Sequence, residues 1–528
     1  MRRRDTFFSP TYDLATSLQE QDKRAKGISR DTSCFSAGAR ADPLDVVQRT
    51  SGKFTWNNHL LKPFLAAGLS RFCVATVQGF AGQVSEDVAV GPKATPVVVT
   101  LLGRRDVDRA GTRHWRRGAD MDGNAANFVE SEMIVELPGL GIVQSFVQVR
   151  GSIPLAWSEV PNLRYKPRRE QAPLVASQKA FAAHMGALVD SYQSVVAINL
   201  AGLGPKKSEG KLSKTFAELA DWFAKKSGPR PGFELVEFDF HKQCGATKYH
   251  NLEKLFERIR PEFESIGAFR RSTPAMTGAP DGSREKVQYQ SGVFRTNCID
   301  SLDRTNVVQT MLAVHTLESL LQNLQMLRQP VSGGPAPSQT GAVLEEVFPA
   351  LLWDLKRIWA DHGDAVSKLY AGTGALKSGF VRTGKRSLSG FVDDGIKSVT
   401  RYVLNNFADG VKQDAIDLVL GHCDSTAAAP AGLGRVSLAP AAALLALALL
   451  AAGAKNGAPL LWGPAVAMDY RHGLRVASQP AFLRWAAAPL LAGAAILATL
   501  RTLGTLAVTR PALCMGRVQV WKSPTGKT

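Results

Sequence analysis

The chain has 528 residues, of which 45% are hydrophobic and 21% charged, and its formal net charge is +18 at pH 7. This is the composition of a folded protein with room for two or more compact units. The excess of positive charge fits a solvated surface, nucleic acid, an anionic membrane or a phosphorylated substrate. Because the sequence contains no base-reading or RNA-binding motif, we predict no nucleic-acid partner.

Six cysteines occur without the spacing of a disulfide framework, which is typical of a reducing compartment. They are Cys34, Cys73, Cys244, Cys298, Cys423 and Cys514.

Alternating hydrophobic patterns and helical patterns predict an α/β fold. Residues 1–52 are polar and predict an irregular lead-in, and residues 53–425 predict one catalytic domain. Because strands alternate with helices along this domain, we expect the strands to share a sheet. The predicted strands are 95–102, 127–136, 142–149, 194–200, 233–240 and 287–294, and 127–149 is a hairpin; the predicted helices are 176–193, 214–226, 251–267 and 307–321.

A flexible, Pro- and Gly-rich loop is predicted over 328–341. Helical periodicity returns from Val343 to Leu369, with a break at Pro349.

The most informative stretch runs from Arg295 to Asn306, between the strand over 287–294 and the helix over 307–321. Thr305 or Asn306 is a suitable N-cap for that helix. A loop in this position aims backbone N–H groups and a helix N-terminus at a bound anion. The same field favours the thiolate of Cys298, and Arg304, six positions later, has the planar fork that binds two phosphate oxygens.

Two carboxylates lie inside this loop, Asp300 and Asp303. A carboxyl group beside a bound dianion can hold a proton and donate it to a leaving alcohol. The alternative is that both carboxylates bind loop N–H groups and shape the turn. A second match to the Cys-x5-Arg spacing, Cys34–Arg40, has neither a strand before it nor a helix after it, and we interpret it as coincidental.

The stretch Arg295-Thr-Asn-Cys-Ile-Asp-Ser-Leu-Asp-Arg-Thr-Asn306 resembles the catalytic loop of Sac-domain phosphoinositide phosphatases, and the resemblance extends from about Thr11 to about Gly421. It most resembles the Sac1-type, membrane-anchored members. Further blocks that resemble the family are 109–118, 124–132, 148–154, 238–244, 359–361, 370–377, 382–386 and 405–410.

The resemblance implies a Sac-type α/β catalytic domain with a strand–loop–helix phosphate-binding loop. It implies catalysis by Cys298 and Arg304, with Asp300 and Asp303 as candidates for proton transfer. The remaining loop residues that would shape the phosphate site are Asn297, Ile299, Ser301, Leu302 and Thr305.

The sequence departs from the family pattern in two places that bear on the fold and the site. Ser301 replaces the second cysteine of the usual loop, which keeps the loop shape but removes a thiol beside the nucleophile. Only about ten residues precede the block that begins at Tyr12, so we expect the usual amino-terminal lobe to be largely absent.

The stretch 372–386 is rich in glycine and basic residues. Without a functional role, this stretch would be a solvated basic loop. The resemblance instead favours contact with substrate through Lys377, Arg382, Lys385 and Arg386.

His241, Cys244 and His250 fit no common zinc spacing, and no second ligand pair follows them, so we predict neither a metal nor another cofactor.

Two apolar segments near the carboxyl terminus are long enough to span a bilayer. Residues 436–454 carry no charge, and residues 485–508 carry one, Arg501. The predicted arrangement is a linker over 426–435, a transmembrane hairpin over 436–509 and a cytosolic tail over 510–528. Buried Ala-rich helices are the alternative. Because basic residues lie both between and after the spans, their distribution does not determine the orientation, but a catalytic thiolate favours a cytosolic domain.

Together these features predict an integral membrane phosphatase that acts on phosphatidylinositol phosphates through a cysteinyl-phosphate. The resemblance implies that the substrate is the 4-phosphate, with the 3-phosphate as the alternative. It also implies a location in endoplasmic reticulum and Golgi membranes. The protein partners are unknown from the sequence. One rival hypothesis is a protein phosphatase. The absence of the usual His and Gly around Cys298 argues against it. The other is an inactive phosphoinositide-binding tether, which the intact loop opposes.

Overall fold

The computed structural model describes residues 5–29, 46–90, 93–164, 167–204, 209–227, 232–245, 248–273, 285–327, 341–383 and 388–423. Twelve strands are found in this part of the chain: β1 Thr6–Phe8, β2 Thr76–Val90, β3 Lys93–Arg105, β4 Val129–Leu137, β5 Ile142–Arg150, β6 Trp157–Val160, β7 Arg168–Gln171, β8 Val195–Asn199, β9 Phe233–Glu237, β10 Phe269–Ser272, β11 Lys286–Gln288 and β12 Val293–Asn297.

Thirteen α-helices accompany these strands within the described residues: α1 Leu18–Ala25, α2 Val46–Arg49, α3 Asn58–Ala66, α4 Leu174–Tyr192, α5 Gly210–Ser227, α6 Phe240–Gln243, α7 Leu252–Ile266, α8 Asp303–Asn323, α9 Ala342–Val347, α10 Pro349–Ala371, α11 Ser378–Thr383, α12 Leu388–Phe407 and α13 Asp409–Val419. The predicted mixed α/β architecture is confirmed.

One ten-stranded sheet organises the domain, with the main order β1-β2-β3-β4-β5-β12-β8-β9. From β1 to β5 neighbouring strands are antiparallel, and β5, β12, β8 and β9 are parallel. The predicted hairpin is β4 with β5, and Met133 pairs with Phe146 in it. Because β12 lies between β5 and β8, the residue that follows β12 is at the carboxyl-terminal edge of the parallel strands.

Helices cover both faces of the parallel strands, and the central strand β8 is accordingly apolar on both sides up to Asn199. Side chains alternate between the two faces. In β8, Val196 and Ile198 belong to a core cluster with residues of α7 and α8, whereas Val195 and Ala197 pack with residues of α4 and α5. A third cluster joins α8 and α10 to the antiparallel strands.

Two local predictions near the catalytic loop were wrong. The predicted strand over 287–294 is replaced by two strands, β11 and β12. In the segment between them, the side chain of Gln290 takes the place of strand pairing by bonding the backbone N–H and C=O of Val147. The helix begins at Asp303 and is preceded by Leu302, so Thr305 and Asn306 lie within its first turn. That turn is polar, and the periodic apolar pattern therefore marked the helix only from Val307.

The lead-in over 1–52 is not irregular in its described part. Thr6–Phe8 pairs with β2 at the edge of the sheet, and Leu18–Ala25 is a helix whose N-cap, Ser17, accepts a hydrogen bond from the N–H of Glu20. The break at Pro349 is confirmed, since α9 ends at Val347 and α10 starts at Pro349.

No helix among the described residues is long and apolar enough to cross a membrane. The linker over 426–435, both predicted spans, 436–454 and 485–508, and the tail over 510–528 lie outside the described residues.

Candidate active site

The loop that carries Cys298 connects β12 to α8 at the edge of the parallel strands. Strand β12 ends at Asn297, Cys298 follows directly, and α8 begins five residues later at Asp303. The side chain of Asn297 is buried between the strands, where it donates a hydrogen bond to Asn199 Oδ1 at 2.9 Å and accepts one from Arg295 Nη1 at 2.8 Å. Asn297 therefore fixes β12 against β8.

Side chains from outside the loop hold its carbonyl groups. Arg150, fully buried at the end of β5, donates from Nη2 to the carbonyl oxygens of Ser301 at 2.7 Å and Leu302 at 2.8 Å. Asn127 Nδ2 donates to the carbonyl oxygen of Asp300 at 3.2 Å. Ser301 has a φ of 51°, in the left-handed region, so the chain turns sharply at this residue.

The amide groups of this loop remain available for a ligand. Within the described residues, no hydrogen bond leads from the backbone N–H of residues 298–302 or of Asp303–Thr305 in the first turn of α8. With the carbonyls of Asp300, Ser301 and Leu302 bound by side chains from outside the loop, these N–H groups and the positive end of α8 are the polar groups of the loop that a ligand could use. Such a ring of amides is an anion-binding site.

The thiol of Cys298 lies at the bottom of this ring and is only 2% exposed. Thr305 Oγ1, in the first turn of α8, donates a hydrogen bond to Cys298 Sγ at 3.6 Å. Ile299 and Leu302 are buried as well, whereas the side chains of Asp300 and Arg304 retain 19% and 11% exposure.

The guanidinium of Arg304 is positioned by two neighbours. Nη1 donates to the carbonyl oxygen of Leu200 at 3.1 Å and to Glu209 Oε2 at 2.9 Å, and Nη2 donates to Glu209 Oε1 at 3.0 Å. Burial opposes the charge, but Cys298 and Glu209 together raise the pKa of Arg304 above its ordinary value. These bonds use three of the five N–H groups. The edge formed by Nε and the second N–H of Nη2 is left for two phosphate oxygens.

Glu209 is a site residue that the sequence did not indicate. Burial raises its pKa, but the positive charge of Arg304 and a hydrogen bond from the N–H of Gly202 outweigh burial and lower it. Glu209 is thus an ionised partner that aligns Arg304. Nothing in its sequence surroundings marks it, because it lies 95 residues before Arg304.

Asp300 is enclosed by two arginines. Arg113 Nη2 donates to Oδ2 at 3.0 Å, and Arg117 Nη1 donates to Oδ1. Burial would raise the pKa of Asp300, but the charges of Arg113 and Arg117 outweigh it and hold the pKa well below its ordinary range. Arg117 is itself held by Glu159 at 2.6 Å. An ionised carboxylate in two ion pairs does not donate a proton, so the geometry opposes the acid role of Asp300. Its side-chain partners are Arg113 and Arg117 rather than the loop N–H groups of the alternative interpretation.

Asp303 is held differently. Its Oδ1 accepts a hydrogen bond from the N–H of Leu376 at 2.6 Å, and its Oδ2 lies 3.6 Å from Arg401 Nη1. Asp303 thereby connects the catalytic loop to the basic stretch that begins at Gly372.

The four basic residues predicted to contact substrate do not behave alike. Lys377 has a left-handed φ of 65°, and its Nζ lies 5.0 Å from the centre of the Phe240 ring. Arg382 is bound to Asp361 at 2.7 Å and Asp364 at 3.0 Å, so its guanidinium is engaged with α10. Lys385 and Arg386 lie outside the described residues.

His241 lies near the same edge of the sheet, in the short helix α6 that follows β9. Burial, then the positive charges of Arg304 and Lys377, lower its pKa. Both cations thus lie near enough to His241 for their charge to act on it. The described residues contain no group of three or more His, Cys, Asp or Glu side chains that could hold a metal ion.

The family model and the individual proteins that match this chain all point to the same family. The SacI homology domain family matches residues 1–245. The phosphoinositide phosphatase SAC8 of Arabidopsis thaliana is 37% identical over 447 residues, which cover 85% of this chain and 68% of that protein. The phosphatidylinositol-3-phosphatase SAC1 of Drosophila melanogaster is 39% identical over 415 residues, which cover 79% of this chain and 62% of that protein.

The phosphatidylinositol-3-phosphatase SAC1 of Saccharomyces cerevisiae is 36% identical over 427 residues, which cover 79% of this chain and 61% of that protein. The matches thus extend over 61–68% of the length of these three relatives. Because these matches agree with the sequence of the loop around Cys298, the chain belongs to the Sac-domain phosphoinositide phosphatase family.

Proposed function

We propose that this protein removes a phosphate from phosphatidylinositol phosphates, with Cys298 as the nucleophile. The observation that carries the proposal is the ring of amides around Cys298, together with the edge of Arg304 that Glu209 leaves open. This arrangement suits a phosphate dianion in front of a thiolate. The names of the relatives support a phosphoinositide substrate.

The reaction proceeds in two displacement steps. The thiolate of Cys298 attacks phosphorus, an S–P bond forms, and the bond from phosphorus to the inositol oxygen breaks. Water then attacks phosphorus, the S–P bond breaks, and inorganic phosphate and the thiolate are released. In both steps Arg304 and the loop amides hold the equatorial oxygens, where negative charge accumulates.

The leaving inositol oxygen needs a proton. Because Asp300 is ionised between two close arginines, Arg113 and Arg117, whereas Asp303 lies 3.6 Å from Arg401, we assign this role to Asp303, which enters the step protonated at Oδ2. Its Oδ1 stays bound to the N–H of Leu376. The same carboxylate then accepts the proton of the attacking water in the second step.

Ring position and membrane location are further parts of the proposal. The family resemblance implies the 4-phosphate, and the names of two relatives refer to the 3-phosphate, so both lipids are substrates to be compared. We propose that the apolar segments 436–454 and 485–508 anchor the protein as a hairpin in endoplasmic reticulum and Golgi membranes, with the catalytic domain in the cytosol.

The test is phosphate release by the full chain in detergent micelles that contain phosphatidylinositol 4-phosphate or 3-phosphate, with EDTA present. The control is Cys298→Ser, which keeps the side-chain size but lacks the thiolate. We expect release by the parent and at least about a thousandfold less by the variant, because the nucleophile is gone. Binding of the lipid without release by the folded parent would support a tether, and preference for a phosphotyrosine peptide would support a protein phosphatase.

A further inference from the structure

Helix α12 turns its polar side toward the protein. Asp394 accepts a hydrogen bond from the N–H of Lys377 at 3.0 Å, and Lys397 Nζ donates to the carbonyl oxygen of Ala375 at 3.3 Å. Arg401, buried one turn further on, donates to the carbonyl oxygen of Gly374 at 3.0 Å and lies 3.6 Å from Asp303. The inner side of α12 therefore supports the wall of the candidate active site.

The outer side of the same helix is apolar. Val392, Ile396 and Val399 follow one another at positions i, i+4 and i+7, which share a face. They are 49%, 58% and 63% exposed. A surface helix normally has the opposite arrangement, with its apolar side toward the core and its charged side toward water.

Helix α13 has the same reversed arrangement. On its inner side, Gln413 accepts a hydrogen bond from the N–H of Thr112 at 2.9 Å, and Asp417 accepts two from Arg116 at 2.9 Å. On its outer side, Val411 and Leu418 lie at i and i+7 and are 58% and 39% exposed. Two consecutive helices thus present apolar residues outward, which marks an interaction surface rather than isolated exposed side chains.

We propose that the outer faces of α12 and α13 dock on a lipid bilayer and bring the catalytic loop to the lipid headgroups. The proposal rests on the proposed function, since the substrate is a membrane lipid. The surface consists of Val392, Ile396, Val399, Val411, Leu418 and the 42% exposed Val419.

Two observations favour a bilayer over other occupants. The inner sides of both helices contact residues that border the catalytic loop, so a bilayer on the outer side lies one helix away from the site. In addition, the first apolar segment begins at residue 436, 13 residues after residue 423, where the described chain ends. An extended chain of that length reaches at most about 45 Å. A membrane that holds this segment is therefore within reach of the surface.

A photocrosslinking experiment tests the contact directly. The photoreactive amino acid benzoylphenylalanine replaces Ile396 in the full chain, which is reconstituted in vesicles of phosphatidylcholine with a minor fraction of phosphatidylserine. The matched control carries it at Lys214, which is 79% exposed on α5 at the other face of the sheet. We expect lipid adducts at 396 at least about tenfold more abundant than at 214. Adducts with residues 436–508, or with a second copy, would overturn the proposal.

A rate comparison tests the consequence. The variant Val392→Ser/Ile396→Ser/Val399→Ser is assayed on phosphatidylinositol 4-phosphate in vesicles and on its short-chain, water-soluble analogue. These side chains are exposed, so the fold and the rate on the soluble analogue should be unchanged, while the rate on vesicles should fall at least about tenfold because the apolar contact is lost. An unchanged vesicle rate, or an equal loss on both substrates, contradicts docking.

The two readouts separate this proposal from the proposed function. If the parent hydrolyses neither lipid, the proposed function fails, and the distribution of adducts between positions 396 and 214 still decides whether this surface meets the bilayer.

Discussion

The pair between Glu209 and Arg304 offers a specific test of how the site is built. Glu209→Gln keeps a carbonyl acceptor of nearly the same shape but removes the charge and one of the two acceptors, which now lie 2.9 and 3.0 Å from Arg304. Because the two side chains are only 17% and 11% exposed, solvent screens the pair little. A hydrogen bond to a charged group contributes about 1.5–3 kcal/mol, so we expect the free energy of unfolding to fall by about 2 kcal/mol.

The same substitution should also slow catalysis. Without its second contact Arg304 can turn away from the phosphate, and misplacement by about 1 Å can cost a hundredfold in rate. We therefore expect kcat on phosphatidylinositol 4-phosphate to fall by about tenfold to a hundredfold. The measurements are urea unfolding and initial rates of phosphate release.

The pH dependence of the stability difference between the parent and Glu209→Gln follows from the lowered pKa of Glu209. A carboxyl group whose pKa is lower in the folded state stabilises the fold above its ordinary pKa of about 4.3, and this contribution is lost as the pH falls through the folded-state value. The stability difference between the parent and Glu209→Gln should be complete at neutral pH and shrink in acid.

The matched control is Glu218→Gln in α5, the helix that begins directly after Glu209. Glu218 is 53% exposed and lies 3.8 Å from Lys214, so its loss should change stability by less than about 0.5 kcal/mol and leave kcat unaltered. A Glu209→Gln variant with parental kcat would refute the positioning role. An increase in kcat would show instead that Glu209 competes with phosphate for Arg304.

Two further substitutions distinguish the carboxylates of the loop. Asp300→Asn should lower the free energy of unfolding at pH 7 by about 3 kcal/mol, since it removes the carboxylate partner of Arg113 and leaves Arg117 with Glu159 alone, and should reduce the rates on phosphoinositide and on an aryl phosphate by the same factor. Parental stability in urea would contradict this interpretation. Asp303→Asn should slow the phosphoinositide reaction by about a hundredfold but spare an aryl phosphate, whose leaving group departs without a proton. Equal losses on both substrates would exclude Asp303 as the acid.

The sequence by itself determined the features that depend on neighbours along the chain. The hairpin of β4 and β5, the break before α10 and the strand–loop–helix around Cys298 follow from side-chain periodicity and from proline, which act over a few residues. It also indicated the chemistry, because a thiol and a guanidinium six positions apart can meet on one short loop. The start of α8 was misplaced because its first turn is polar and faces the site.

Only the tertiary structure decided how the loop is held and what its residues can do. Arg150, Arg117 and Glu209 approach it from 151, 183 and 95 residues away in sequence, and no local pattern joins them to it. The role of Asp300 depends on which charges surround it, which is a property of the folded chain. The apolar pattern of α12 predicts neither which side faces the protein nor that the polar side supports the site. Hydrogen bonds of Asp394 and Arg401 to the backbone of residues 374–377 set the orientation of α12. Buried polar groups need such partners, and only the folded chain determines where the partners lie.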